Sequence, residues 1–260
     1  MPEQDKSLPP QPLQQPSSPG ARTAGAQDEE AAARAVREMF SSIAPRYDLL
    51  NHLLSFNTDR YWWWRAARSF SHILRRPGAS VLDVCCGTGD MTFALQRQAA
   101  RGVRIAGADF SPAMLERARR KGAGKPVEWL EADALRMPFA DGSFELVTSA
   151  FGFRNLANYD QGLAEIYRVL KNGGEVGIVD FGEPQGLPGK IYNFYFRHIL
   201  PRVGTLISGV QGPYAYLPAS VSRFPSPEQM LARMRQAGFT ATAYTPYTFG
   251  IAGLYRAQKP

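Results

Sequence analysis

A chain of 260 residues can bury one substantial core, which favours a single domain with appendages over two domains. The net charge is +7, no apolar run approaches membrane-spanning length, and no apolar stretch follows a basic start. Neither a transmembrane helix nor a secretory signal is therefore expected, and a cytoplasmic protein is expected. Cys85 and Cys86 are the only cysteines and stand side by side, while His52, His72 and His198 lack ligand spacing, so neither a disulfide framework nor a metal centre is expected.

Met1–Gln27 is rich in Pro, Gln, Ser and Gly and nearly free of apolar residues, so residues 1–28 read as a disordered tail. Glu29–Ser42 and Asn57–Leu74 read as two helices over a sheet, forming an N-terminal helical unit, 29–78. From Ser80 onward strand-like and helix-like segments alternate, the pattern of an α/β fold with a parallel sheet and helices on both faces. The predicted strands are Ser80–Cys85, Val103–Ala108, Val127–Glu131, Phe144–Ala150 and Glu175–Asp180, with closing strands Phe239–Tyr247 and Phe249–Ala257. Between them fall helices from Thr88 to Ala100, Ala113–Lys121 (capped by Ser111-Pro112) and Tyr159–Leu170, the last ended by Asn172-Gly173-Gly174. After Phe181 the rhythm breaks into a helical stretch near Ile191–Leu200 and an irregular one, Arg202–Phe224. Ser226-Pro227-Glu228 then caps a helix to Gln236.

Chemistry is expected at the carboxyl ends of the strands, where open sheets bind ligands. Val81–Asp90 is an apolar strand running into a turn on Gly87-Thr88-Gly89, with Asp83 inside the strand to fix it. Such a turn lets backbone approach a ligand and aims the free N–H groups of the next helix at it. A dinucleotide fingerprint would need a third glycine at position 92, where Thr92 stands. Asp109, after the second strand, can accept from both hydroxyls of a ribose. Asp133-Ala134, after the third, can read an adenine edge, and Phe151–Asn155 follows the fourth. Residues 181–260 hold eight Lys/Arg against Glu183 and Glu228, interleaved with aromatics, a composition suited to nucleic acid or to an anionic membrane face.

The chain resembles the quinone-biosynthesis C-methyltransferases that act on 2-polyprenyl-1,4-benzoquinols and demethylmenaquinols. The opening Asp83-x-x-x-Gly87-x-Gly89 belongs to S-adenosylmethionine-dependent methyltransferases at large. More specific are Met39-Phe40-x-x-Ile43-Ala44-x-x-Tyr47-Asp48-x-x-Asn51, Met137-Pro138-Phe139, Phe151-Gly152-x-Arg154-Asn155, Tyr167-Arg168-Val169-Leu170-Lys171 and Tyr214-x-Tyr216-Leu217-x-x-Ser220. Departures are Phe153, where Leu or Ile is common, Asn172 in place of Pro, and the tail before Glu29. The resemblance implies a Rossmann-like, seven-stranded class I methyltransferase sheet with a substrate insertion at about 182–225. It implies S-adenosylmethionine as cofactor, held by Asp83, Gly87, Thr88, Gly89, Asp109, Asp133 and Ala134. Arg154 and Asn155 are implied as catalytic, and a lipid quinol as substrate, with the naphthoquinol preferred to the benzoquinol because of Cys85-Cys86.

A sulfonium methyl is electrophilic, so the ring carbon must be made electron-rich by ionising or polarising the neighbouring hydroxyl. The resemblance places Arg154 in proton removal, but a guanidinium with a pKa above about 12 is already protonated. Stabilisation of a developing phenolate by Arg154, with the proton leaving through water, is the expected role, and Asn155 would orient the second hydroxyl. Tyr47, Asp48 and Asp59–Trp64 are expected to fold over the cofactor, with Tyr61-Trp62-Trp63-Trp64 serving packing. A polyprenyl tail, at about 0.8 kcal/mol per buried CH₂, leaves a bilayer at high cost. Transient contact with the inner membrane surface through the C-terminal quarter is therefore expected, without nucleic acid and with room for a homodimer.

Overall fold

The computed structural model describes residues 29–44, 57–182 and 213–260, with isolated residues between them. The expected tail, the Tyr47-Asp48-x-x-Asn51 segment, the helix at Ile191–Leu200 and most of the insertion lie outside the described residues. In chain order the elements are α1 (Glu29–Ile43), α2 (Thr58–Ser69), β1 (Ser80–Val84), α3 (Asp90–Gln96), β2 (Arg104–Asp109), α4 (Pro112–Lys121), β3 (Val127–Glu131), β4 (Phe144–Ala150), α5 (Tyr159–Val169), β5 (Leu170–Phe181), α6 (Pro213–Arg223), α7 (Pro227–Gln236), β6 (Thr240–Tyr247) and β7 (Ala252–Gln258).

The seven strands form one sheet in the order β3-β2-β1-β4-β5-β7-β6. The first five are parallel, with Val81 opposite both Ile105 and Leu146, while β7 runs antiparallel between β5 and β6. Chain order reverses between β1 and β4, which opens a crevice at their carboxyl ends. Alternation along the strands splits the core into two layers. Leu82 and Val84 face α5 and α7, which bury Leu163, Ile166, Met230 and Met234. Val81 faces α2 and α3, which bury Trp62, Ala66, Phe70, Met91 and Leu95.

Three expectations are corrected. Asn172-Gly173-Gly174 does not cap α5. The helix ends directly at Leu170, which pairs with Phe144, and the glycines lie inside β5, where the ladder shifts before Glu175 meets Leu146. Pro213–Arg223 is helical with Pro218 inside it, whereas Gly and Pro content reads as irregular. The segment Asp59–Trp64 belongs to α2 in the core layer, where Trp62 and Trp63 are buried, and Tyr61 and Trp64 are exposed instead of packed.

Candidate functional site

The glycine turn is built as its residues require. Gly87 and Gly89 have positive φ (55° and 89°), and so does Cys85 at 53°. A Cβ on Gly87 would meet no heavy atom within 4 Å, so that residue opens onto clear space. At Gly89 a Cβ would fall 2.6 Å from the Trp129 ring, so glycine is required there by contact as well as by φ.

Asp109 closes the turn from β2. Its Oδ2 accepts from the Gly87 N–H at 2.8 Å and its Oδ1 from the Ser111 N–H at 2.9 Å. A carboxylate has about four acceptor sites, so some acceptor capacity is left beside the backbone N–H groups of Gly87, Phe110 and Ser111. Burial pushes Asp109 up to about 6, against the lowering effect of those backbone donors. The Asp109 carbonyl accepts from the Ala132 N–H at 3.0 Å, which brings the loop carrying Asp133 and Ala134 alongside. Asp133 is exposed, with Oδ1 accepting from the Leu135 N–H at 2.9 Å, and Ala134 is buried beside it.

Two of the expected cofactor residues have side chains engaged within the protein. Asp83 is fully buried behind the turn, accepting from Thr92 Oγ1 at 2.6 Å and Thr148 Oγ1 at 2.8 Å. Desolvation raises it to about 7. Thr92, at the position of the missing third glycine, thus ties the first turn of α3 to β1 and, through Asp83, to β4. The Thr88 hydroxyl accepts from Lys121 Nζ at 3.1 Å and lies 3.4 Å from Asp90, so it engages α4 and α3.

Beside the turn, Gly152 sits so close that an added Cβ would lie 2.4 Å from the Cys85 Cβ. Phe151 has φ 58° and its N–H bonds to the Val179 carbonyl at 2.7 Å. This aims the short helical turn Phe153–Asn155 back under the crevice. Arg154 is buried: Nη1 donates to Asp180 Oδ1 at 2.9 Å and to the Phe151 carbonyl, and its backbone N–H donates to Asp180 Oδ2 at 3.0 Å. The side chains are 5% and 0% exposed, so the pair is sealed from water. Arg154 also lies over the Phe181 ring, 5.1 Å from its centroid, and its Nε is buried without a hydrogen-bond partner. Asn155 Oδ1 accepts from Tyr216 at 3.1 Å, and burial raises the Tyr216 hydroxyl, keeping it a donor.

Asp180 and Tyr216 are therefore site residues that the catalytic reading of the sequence missed. Asp180 carries a readable signal, an acid at the carboxyl end of an apolar strand. Tyr216 stood within a noted motif whose helical placement hid its direction. Arg168, in another such motif, is structural, donating to the Met137 and Phe139 carbonyls and to Glu165 and Asp141. Helix α1 lies against the ends of β2 and β3, with Arg37 paired to Glu131 and the Ser41 and Ser111 hydroxyls 3.0 Å apart. Among the described residues no cluster of three or more His, Cys, Asp or Glu is arranged to hold a metal.

The site as built offers a backbone cradle opening onto space at Gly87, a buried acid beside it, and a neighbouring loop that presents the exposed Asp133 carboxylate. These residues fit S-adenosylmethionine. Residues 26–259 match the model of the ubiE/COQ5 methyltransferase family. A demethylmenaquinone methyltransferase of Deinococcus radiodurans is 49% identical over 236 residues, covering 89% of this chain and 95% of that protein. One from Thermus thermophilus is 48% identical, covering 85% of this chain and all of that protein. Among solved structures, a Thermotoga maritima protein described as an S-adenosylmethionine-dependent methyltransferase and possible histamine N-methyltransferase superposes with a TM-score of 0.60 at 18% identity, covering 86% of this chain and 99% of that one.

Proposed function

The chain belongs to the ubiE/COQ5 methyltransferase family and is an S-adenosylmethionine-dependent C-methyltransferase, and from that premise we propose that its substrate is demethylmenaquinol, methylated on the ring to give menaquinol. The observation that carries this reading is the pairing of Arg154 with Asp180 and of Asn155 with Tyr216 at the crevice beside the glycine turn. S-adenosylmethionine supplies an electrophilic methyl; Gly87, Gly89, Asp109, Asp133 and Ala134 hold it.

Asp180 fixes where the Arg154 charge sits and keeps the resting site neutral overall. A guanidinium so held is a donor to a developing quinol oxyanion and not a base. Charge delocalised from that oxyanion makes the adjacent ring carbon nucleophilic. The hydroxyl proton would pass to water as the oxyanion forms; once the ring carbon has taken the methyl, with cleavage of the methyl–sulfur bond, the ring hydrogen would leave to water and the ring oxygen regain a proton, one proton being released in all. Asn155, with its carbonyl taken by Tyr216, retains its amide N–H groups for the second quinol oxygen.

Arg154→Lys keeps the charge near Asp180 but loses the planar fork. It should lower turnover of a short-tailed demethylmenaquinol by about 10²- to 10³-fold while S-adenosylmethionine binding, followed by calorimetry, stays unchanged. Near wild-type turnover by that variant would sink the role of Arg154. Preference for the benzoquinol precursor in the same assay would overturn the naphthoquinol assignment.

A further inference from the structure

We propose that the outward stripe of α2, together with the β6–β7 turn, is the face by which this protein docks on an anionic lipid bilayer. The inference deepens the quinol reading and rests on it for the nature of the partner.

Helix α2 turns Trp62, Trp63, Ala66 and Ala67 into the core and leaves Arg60, Tyr61, Trp64 and Arg68 outward, at the spacing of one helical face. Tyr61 and Trp64 are 47% and 48% exposed and stack on each other at 6.1 Å, with Arg68 over Trp64. The turn after β6 adds a third ring. Thr248, Phe249 and Gly250 all have positive φ (45°, 57° and 88°), an uncommon run for which two non-glycine residues must be strained. Its result is to hold Phe249 out at 81% exposure. Trp62 Nε1 donates to Thr248 Oγ1 at 2.8 Å, so this turn is fastened to the same helix. Three exposed rings thus stand on two elements joined by a hydrogen bond, whereas isolated exposed apolar residues need no explanation.

Charge says what the patch meets. Between Asn57 and Gly78 there are five arginines, Arg60, Arg65, Arg68, Arg75 and Arg76, and one acid, Asp59, which is buried. Between Thr240 and Pro260 there is no acid at all. Aromatic rings at headgroup depth among cations are the composition of a bilayer-surface site. Elsewhere in the C-terminal quarter three described cations are engaged within the protein: Arg233 pairs with Asp160, Arg256 with Glu175, and Lys259 donates to the Tyr167 and Leu170 carbonyls, while Arg235 is exposed and donates to Thr242 Oγ1 at 3.0 Å. Lys190, Arg197 and Arg202 lie outside the described residues.

The position serves the chemistry. Trp62 packs on Phe151 and Phe181 at 5.7 and 6.2 Å, and Arg154 lies over Phe181, so the inner side of the helix that carries the docking face is joined to the surroundings of Arg154 by packed rings. A quinol with its tail in the bilayer could then present its ring at the crevice.

The test uses the full chain sedimented with phosphatidylcholine vesicles, with and without phosphatidylglycerol. Trp64→Gln with Phe249→Asn removes both rings while asparagine keeps the left-handed turn, and Arg60→Gln with Arg68→Gln removes charge. Wild-type protein should sediment with the anionic vesicles, and each double variant should bind them about tenfold more weakly with an unchanged melting temperature. Both variants should methylate a short-tailed, water-soluble demethylmenaquinol like wild type and lose activity only on the long-tailed quinol in vesicles. Equal sedimentation of variants and wild type, or none by wild type, overturns the proposal. Dimers that dissolve on substitution would give the patch to a second copy and overturn it too. Failure of wild type on the soluble quinol would instead refute the substrate assignment, and the vesicle result would still judge the docking face.

Discussion

A carboxylate buried next to a glycine turn has two jobs that pull against each other. Asp109 must be ionised to accept strongly from ribose hydroxyls, yet burial raises it to about 6. Its folded value lies above the unfolded one, so its contribution to stability is complete below about pH 4 and is lost as pH rises through about 6. Ligand affinity runs the opposite way. S-adenosylmethionine should bind more weakly below pH 6, as measured by calorimetry from pH 5 to 8, and Asp109→Asn should flatten that profile while lowering affinity at neutral pH. The types Gly87, Gly89 and Asp109 were legible because backbone freedom and charge are residue properties at a fixed spacing. Asp83 behind the turn was legible too, but its partners Thr92 and Thr148 and the engagement of Thr88 by Lys121, 33 positions beyond it, were not, because they depend on how α3, α4 and β4 pack.

At the scale of elements, periodicity carried α5 and α7 and failed where local and tertiary preferences disagreed. Tyr159, Leu163, Ile166 and Val169 recur on one helical face and are all buried. Leu163→Ala should cost about 2 to 5 kcal/mol in urea unfolding, with cofactor affinity at neutral pH unaffected in the folded fraction. Asn172-Gly173-Gly174 misleads because it carries a helix-stop signal, yet pairing of Leu170 with Phe144 has already taken the chain into the sheet. The Tyr61–Trp64 run gave the right element, α2, without saying which rings face out. That division appears only once Phe151, Phe181 and Thr248 are seen to claim Trp62.

Across the whole molecule, seven strands and their alternation with helices could be read from the sequence, whereas the reversed direction of β7 could not, since an antiparallel insertion requires knowing which edge is vacant. The last residues stitch that arrangement to the middle of the chain. Lys259 Nζ donates to the Tyr167 and Leu170 carbonyls at 2.9 and 2.8 Å, satisfying acceptors at the end of α5. Lys259→Ala should lower unfolding free energy by about 1 kcal/mol with methyl transfer intact, read by denaturant titration beside the turnover assay. The Thr92–Asp83–Thr148 tie has a consequence for descent. A glycine at position 92 would keep the backbone N–H that Asp83 accepts from but remove the hydroxyl at 2.6 Å, leaving the Thr148 hydroxyl as the one side-chain donor to a fully buried acid. A change from this turn to a dinucleotide-type one therefore couples positions 83 and 92, because the hydroxyl that a third glycine would delete is the one that holds the buried acid.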